Sequence, residues 1–487
     1  MEPLRDSKGR SVVPCIINNT ELPIDDATIV PVHSALSDEP VHYYQAADED
    51  ICKKACTAAW DAFDGGWKRA SILTRRNLLL KVATLYEENV EKLVESQVLE
   101  TSCPEPWARN NVVLAVSYMR EIAACISGVH GTIPPTEKPD TMTFVFKEAV
   151  GPILVIPPWN AALVLSSRAV ASAIGAGCTV VLKASEQCPL THASIVDIYR
   201  KAGSPPGVIN SLQASREAAA SMTEALIADE RIRKIEFIGS AAVGRQIGAT
   251  AAKYLKPVLM ELGGKGPAIV LDDANIQKAA VLCAKGALLH HGQICFSTER
   301  VIVQRKVAND FIEKLVKVVE STPGGTAVSE RIAQTGLDIL QDAKDKGAVF
   351  LTGGPELVSR NAVKPSLVQI DPETTADQMR IIDEETFAPS ASVYIVNSDE
   401  QAVALANRSV YGLNATIHTT NMERAINMGR NLEYGQVHIN SISVYVSPTG
   451  PQGGVKGSGW GRQNASWGLD EYFVERHISW HGEGSSG

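Results

Sequence analysis

The chain lacks the features that would tie it to a membrane, a nucleic acid or a disulfide scaffold. No apolar run approaches the roughly 20 residues needed to cross a bilayer. The opening residues, Met1-Glu-Pro-Leu-Arg-Asp6, lack the basic-then-apolar order of a secretory leader. Positive charge is in deficit, with 46 Lys and Arg against 55 Asp and Glu. That imbalance offers no attraction to nucleic acid or to an anionic membrane. The nine cysteines are scattered, odd in number and form no CxxC pair. They argue against a disulfide framework and for a reducing, cytoplasmic setting. Cys52 and Cys56 share a helix face, but no second ligand pair lies near them, so they read as core residues. There is no low-complexity linker and no short-period repeat.

What is present is enough chain for two or more cores: 487 residues, 45% hydrophobic and 21% charged. Residues 1–46 read as short strands and loops. Helical periodicity follows from Ala47, over 74–98 and over 107–129. Thr141 to Ala149 then alternates with period two and aromatics, as a strand does, and reads as an inserted arm. From Val150 short apolar runs at 150–156, 179–182, 208–212, 234–238 and 258–262 alternate with helical stretches. A second series continues with a strand at 268–271, a helix at 276–290, a strand at 301–304 and a helix at 308–319. Such alternation predicts an α/β fold, with parallel sheet covered by helices on both faces.

Four places carry chemistry. Asn160 follows two prolines and a strand in Ile156-Pro-Pro-Trp-Asn160. Its amide can donate to a developing oxyanion, or it is simply a turn residue. Lys183 and Glu186, after the next strand, can bind the hydroxyls of a ribose, or form a solvated pair at a helix start. A carboxylate there repels a 2′-phosphate, which favours NAD over NADP. Gly239, Ser240 and Gly244 join a strand to a helix, where backbone and free N–H groups can approach a pyrophosphate. This is not the GxGxxG fingerprint, and small residues are common in such turns. Gly263-Gly-Lys-Gly266 is weaker still, because no helix follows it. Finally, Glu261 ends an apolar strand, where burial would raise its pKa and suit it to general-base work. Cys295, in Gly292-Gln-Ile-Cys295, offers the best side-chain nucleophile for a carbonyl. A cysteine taken at random is inert and buried; the company of the other places singles this one out.

Together these residues resemble the NAD(P)-dependent aldehyde dehydrogenases. The matches run in order: Pro158-Trp-Asn160, Lys183-Ala-Ser-Glu186, Gly239-Ser240 with Gly244, Glu261-Leu-Gly-Gly264, Gly292-Gln-Ile-Cys295, Glu385-Thr-Phe387 with Pro389, and Gly453-Gly-Val-Lys-Gly-Ser-Gly459. The resemblance implies that Cys295 attacks the aldehyde and that the Asn160 amide and the Cys295 N–H hold the oxyanion. It implies that Glu261 activates the water that hydrolyses the thioester. It implies a cofactor held by Ile156, Pro157, Trp159, Lys183, Ser185, Glu186, Gly239, Ser240, Gly244, Leu262, Glu385 and Phe387. No metal is implied.

The context His290-His-Gly-Gln-Ile-Cys-Phe-Ser-Thr-Glu-Arg300 narrows the resemblance to the salicylaldehyde and vanillin dehydrogenase branch. There Arg168 matches an arginine near the substrate tunnel, where it orients a hydroxylated or anionic substrate or serves as a structural cap. Ile294 and Phe296, flanking Cys295, point to a bulky apolar or aromatic aldehyde. Tyr445 lies in 441–450, a loop expected near the substrate entrance. Three departures put the substrate in doubt. Gln452 stands where the family usually has an aromatic residue, Ala161-Ala162 replaces Phe-Pro, and the 441–450 loop differs from the branch. Alternatives are an aliphatic aldehyde or semialdehyde dehydrogenase, a CoA-acylating relative, or a relative that binds without catalysis. Glu261 argues against CoA acylation, and the intact set of Cys295, Glu261 and Asn160 argues against lost catalysis.

The resemblance also implies a Rossmann-like cofactor domain (1–135 and 150–262), an α/β catalytic domain (263–457) and a small β arm (136–149 and 470–487). The arm pairs Thr141–Ala149 with a strand near 473–480, and such an exposed edge is hidden by a homodimer or homotetramer. The last residues, 482–487, are expected to be disordered.

Overall fold

The structure is a computed structural model, and it describes residues 1–482. Its first sheet has eight strands, in the spatial order Gly459–Trp460, Val258–Glu261, Lys234–Ile238, Ile153–Ile156, Val180–Ala184, Ile209–Gln213, Ile16–Ile17 and Thr20–Glu21. The five strands from Val258–Glu261 to Ile209–Gln213 are parallel, and antiparallel pieces close both edges. Alternate residues of each strand serve different cores, as the period of two requires. Ile153, Val155, Val180 and Leu182 pack with the helices Ile72–Glu88, Glu105–Cys125, Ala162–Ala176 and Pro189–Ala202. Leu154, Val181, Ile235 and Phe237 pack with Glu49–Asp64, Ala219–Ala228 and Ala241–Lys253 on the other face. Cys52 and Cys56 lie buried in that second core.

The second sheet has seven strands: Val349–Thr352, Ser366–Gln369, Ser390–Val396, Thr298–Gln304, Gly266–Val270, Asn414–His418 and Gln436–Ile439. All pairs are parallel except the first. It too is buried on both faces, with Ile269 and Ile302 on one side and Val270 and Val301 on the other. Thr141–Ala149 pairs antiparallel with Phe473–His481 over a nine-residue register, Ala149 opposite Phe473 and Thr141 opposite His481. This ribbon leaves Met142, Phe146, Ile478 and Trp480 exposed.

Three features depart from the sequence expectation. The stretch 74–98 is two helices, Ile72–Glu88 and Val90–Thr101. Asn89 separates them, its Nδ2 donating to the Leu85 carbonyl at 2.8 Å. The helix expected to reach residue 290 ends at Leu288, because His290 and His291 turn left-handed (φ 50° and 60°). After the second sheet the chain returns to the first, where Gly459–Trp460 pairs with Val258–Glu261. Of the tail expected to be disordered, residues 483–487 lie outside the described residues. No helix among the described residues is long and apolar enough to cross a membrane.

Candidate active site

Glu261 is the last residue of its strand, paired with Ile238 on one side and Gly459 on the other. Gly459 has φ +102°, and a Cβ there would stand 2.2 Å from the Met260 carbonyl, so only glycine lets the returning chain close on this strand. The carboxylate is 1% exposed. It is not the unpaired buried acid that its position on the strand suggests. Arg168, also 1% exposed, donates from Nη2 to Oε2 at 2.9 Å, and Gln452 donates from Nε2 to the same oxygen at 3.0 Å. The guanidinium supplies the opposite charge that makes burial tolerable.

Oε1 faces the nucleophile candidate: Cys295 Sγ lies 3.6 Å away. The left-handed histidines swing the chain from the helix Ile276–Leu288 into this position. Gly292 (φ +70°) is required there, since a Cβ would stand 2.1 Å from the Ala388 carbonyl. Gln293 pins the turn through Nε2 to the carbonyls of His290 and Thr326, and accepts from the Val328 N–H. Burial pushes the Cys295 thiol well above its usual range, and the charges of Glu261 and Glu385 push it further, against the opposing pull of Arg168. At rest the sulfur therefore keeps its proton.

Asn160 reaches the same point from the end of Ile153–Ile156. One Nδ2 hydrogen goes to the Gln293 carbonyl at 2.9 Å, and Oδ1 accepts from the Ala161 N–H at 3.1 Å. An amide nitrogen carries two hydrogens, so one donor remains for a ligand. Trp107 fixes this loop, donating from Nε1 to the Asn160 carbonyl at 2.9 Å.

Trp159 and Phe387 stand edge to face at 6.0 Å. Phe387 is left-handed (φ 52°), and Glu299 holds it there by accepting from the N–H groups of Thr386 and Phe387. Lys265, fully buried, neutralises Glu299 at 2.6 Å. Glu385 accepts from the Gly264 N–H at 3.0 Å and packs so close to Gly263 that a Cβ there would meet its Oε2 at 2.3 Å. Burial pushes the Glu385 carboxyl up to about 8, with the Glu299 charge adding and the Gly264 N–H and Lys265 opposing.

The remaining candidates line the carboxyl edge of the first sheet. Lys183 is the penultimate residue of Val180–Ala184, and burial lowers its pKa against the attraction of Glu186. Glu186 is half-buried, and the neighbouring Ser185 N–H donates to His192 Nδ1. Ile156 and Pro157 lead from the adjacent strand. Ser240 is exposed and caps the helix Ala241–Lys253, its Oγ accepting from the Val243 N–H. A Cβ on Gly239 would lie 2.6 Å from the Phe237 ring, and one on Gly244 would lie 2.5 Å from Leu262 Cδ2. Gly244 thus gives Leu262 its seat against the helix.

On the substrate side the picture is mixed. Arg168 contacts Glu261, and its Nε is buried with no partner among the described residues. Ile294 and Phe296 are 5% and 3% exposed and belong to the first core, so they seat the Cys295 backbone. Tyr445 is exposed, with its ring against His438 at 5.0 Å. Sequence reasoning missed Trp107, Gln293 and the Lys265–Glu299 pair as site residues, and met Gln452 only as a departure from a family pattern. Among the described residues no group of three or more His, Cys, Asp or Glu side chains is placed to hold a metal ion.

Comparison with known proteins agrees with this geometry. The aldehyde dehydrogenase family model matches residues 24–478. A salicylaldehyde dehydrogenase of Pseudomonas sp. (strain C18) is 38% identical over 92% of this chain and 93% of its own. A vanillin dehydrogenase of Pseudomonas fluorescens is 35% identical over 96% and 97%. The crystal structure of a salicylaldehyde dehydrogenase from Pseudomonas putida G7, complexed with salicylaldehyde, superposes with a TM-score of 0.93 at 35% identity, covering 98% of this chain and 99% of that one. A Cys, Glu and Asn gathered at the sheet edges, and a family match over nearly the whole length, lead to one conclusion: the chain belongs to the aldehyde dehydrogenase family, NAD(P)-dependent oxidoreductases that act on the aldehyde group.

Proposed function

We propose that this chain oxidises an aromatic or other bulky apolar aldehyde to its carboxylic acid with NAD, by covalent catalysis at Cys295. The observation that carries this is the meeting of Cys295 Sγ with Glu261 Oε1 at 3.6 Å, beside an Asn160 amide that still has a hydrogen to give. Sγ bonds to the aldehyde carbon as the thiol proton leaves to solvent, giving a thiohemiacetal and leaving Glu261 ionised. The free Asn160 N–H and the Cys295 backbone N–H hold the oxyanion. Bound NAD would supply the acceptor for the hydride on that carbon. Glu261 then takes a proton from water, which attacks the resulting thioester and frees the acid and the thiol.

The chain's own residues fit such a cofactor. The exposed Ser240 end of a 13-residue helix offers free N–H groups to a pyrophosphate. Lys183 and Glu186 offer a donor and an acceptor to one ribose, with Glu186 favouring NAD over NADP. Glu385 offers a carboxylate to the other ribose, and Phe387 and Trp159 an aromatic wall. Ile156, Pro157, Ser185, Gly239, Gly244 and Leu262 shape the groove between. On the substrate side, similarity to salicylaldehyde and vanillin dehydrogenases supports an aromatic aldehyde. The free Nε of Arg168 is the donor left for a polar substituent. Tyr445 stands at the entrance, and Ile294 and Phe296 hold the nucleophile from behind. The two sheets form the cofactor and catalytic domains, and the exposed ribbon joins subunits into a homodimer or homotetramer. A kcat/KM panel of aromatic, hydroxy-aromatic, aliphatic and semialdehyde substrates with NAD tests the reading. Preference for a small aliphatic aldehyde would overturn its substrate half.

A further inference from the structure

We propose that Gln452 is a positioning residue for the general base: with Arg168 it occupies Oε2 of Glu261 and thereby aims Oε1 at Cys295. The proposal rests on the reading of Glu261 as the base. A carboxylate oxygen accepts two good hydrogen bonds, and Oε2 receives two, from Arg168 Nη2 at 2.9 Å and Gln452 Nε2 at 3.0 Å. Only Oε1 is left to take a proton, and it is the oxygen that faces the sulfur at 3.6 Å.

Gln452 is itself held. It is 2% exposed, and its backbone exchanges two hydrogen bonds with Gln463, at 3.1 and 2.7 Å. Its Oε1 lies 3.5 Å from the Tyr118 hydroxyl, and the Arg168 guanidinium sits 5.9 Å above the ring of that same tyrosine. Tyr118 thus braces both arms of the clamp. A glutamine packed only as filler would leave a buried amide without partners, at a cost in stability. Here the amide donates to the one buried carboxylate that the reaction needs charged and oriented. Arg168 alone fixes one line of approach; a second donor on the same oxygen removes the remaining rotation about the carboxylate.

The clamp also stands among charged groups. Around Glu261 stand Arg168 with Tyr118 and Glu236 behind it, and Cys295 with Glu385 beyond. Gln452 is neutral, so its N–H favours the ionised carboxylate without adding charge. Removing that donor disfavours ionisation, and the acid limb of turnover moves to higher pH.

The test uses Gln452→Met, which keeps the length and loses the donor, and Gln452→Glu, which adds a like charge. We expect Q452M to give a burst of NADH approaching one per Cys295, then steady turnover slowed about tenfold or more, because only water activation is impaired. The acid limb of kcat rises by ~0.5 pH unit or more in Q452M, and further in Q452E. NAD affinity is unchanged in both. Should Q452M fail to fold, the Q452E limb decides alone. Wild-type turnover and an unmoved limb would overturn the proposal, as would loss of the burst together with turnover. Glu261→Gln run in parallel separates the two claims. If E261Q stalls after its burst while the Gln452 variants behave as wild type, the clamp is wrong and the base stands. If E261Q turns over normally, the reading of the base has failed.

Discussion

Cys295 Sγ lies 3.6 Å from Glu261 Oε1, although the two residues are 34 apart in sequence and are carried by different sheets, Cys295 in the turn that leads into its strand. Glu261 closes a strand of the first sheet, and Cys295 sits just before Thr298–Gln304 of the second. The contact therefore exists only when both sheets are docked. Burial keeps the sulfur protonated at rest, and Glu261 adds to this by resisting a second negative charge beside it.

The first prediction concerns that charge. Glu261→Gln removes the largest opposing charge and leaves Arg168 free to attract a thiolate. Alkylation of Cys295 by iodoacetamide at pH 7 should then speed up severalfold in E261Q, even as turnover fails. Slower alkylation in E261Q would show that the carboxylate activates the resting thiol instead of suppressing its ionisation.

Glu385 supplies a pH dependence. Its carboxyl is pushed up to about 8, so it is mostly protonated in the resting protein at neutral pH. Ribose hydroxyls donate best to the ionised form, so NAD should bind more tightly as pH rises from 6 to 8.5. Stability runs the other way. A raised carboxyl pKa contributes stability that is full below the unfolded value and is lost as pH rises through the folded one. Glu385→Gln should flatten both trends in titrations of NAD affinity and of Tm; persistence of the wild-type slope would assign it to another group.

Arg168 and Glu261 form a buried pair at 2.9 Å. Arg168→Met leaves the carboxylate without its cation and should cost about 3–5 kcal/mol in denaturant unfolding. Adding Glu261→Gln should recover much of that loss, since both charges are then gone. Simple additivity of the two single losses would deny the coupling. The same Arg168→Met variant also tests the substrate role, through the ratio of kcat/KM for salicylaldehyde over benzaldehyde. If the ratio falls, Nε reads the hydroxyl; if it holds, Arg168 serves Glu261 alone.

Cofactor choice rests on Glu186. Glu186→Ala should weaken NAD about tenfold more than NADP, because the variant loses an acceptor for a 2′-hydroxyl and a repulsion against a 2′-phosphate. Dissociation constants for both dinucleotides check this, and equal loss would remove Glu186 from the ribose site.

Much of this was legible before the structure, for physical reasons. Strands buried on both faces read as short apolar runs, and Lys234–Ile238 and Thr141–Ala149 were bounded correctly because their periodicity stops abruptly. Glu261 stood out as an acid at the end of an apolar strand. Its partners did not, since Gln452 is 191 residues away and nothing local marks an amide that donates across a fold. Arg168 read as a substrate ligand or a structural cap, and its pairing with Glu261 stayed hidden because a sequence cannot show which carboxylate a buried guanidinium faces. The left-handed His290 and His291 were also hidden, since helical periodicity runs up to them and the partners of His291, the Gly324 carbonyl and the Val363 N–H, are distant in sequence. Trp107 carried no signal beyond its place near a helix start, yet it fixes the loop that presents Asn160.

The most direct test of the central claim is intact-protein mass spectrometry of E261Q after one turnover with NAD and a benzaldehyde-type substrate. The account predicts one equivalent of NADH per chain and a stable acyl adduct that maps to Cys295 and is absent from Cys295→Ala. NADH formation without that adduct, or normal acid production by Cys295→Ala, would contradict it.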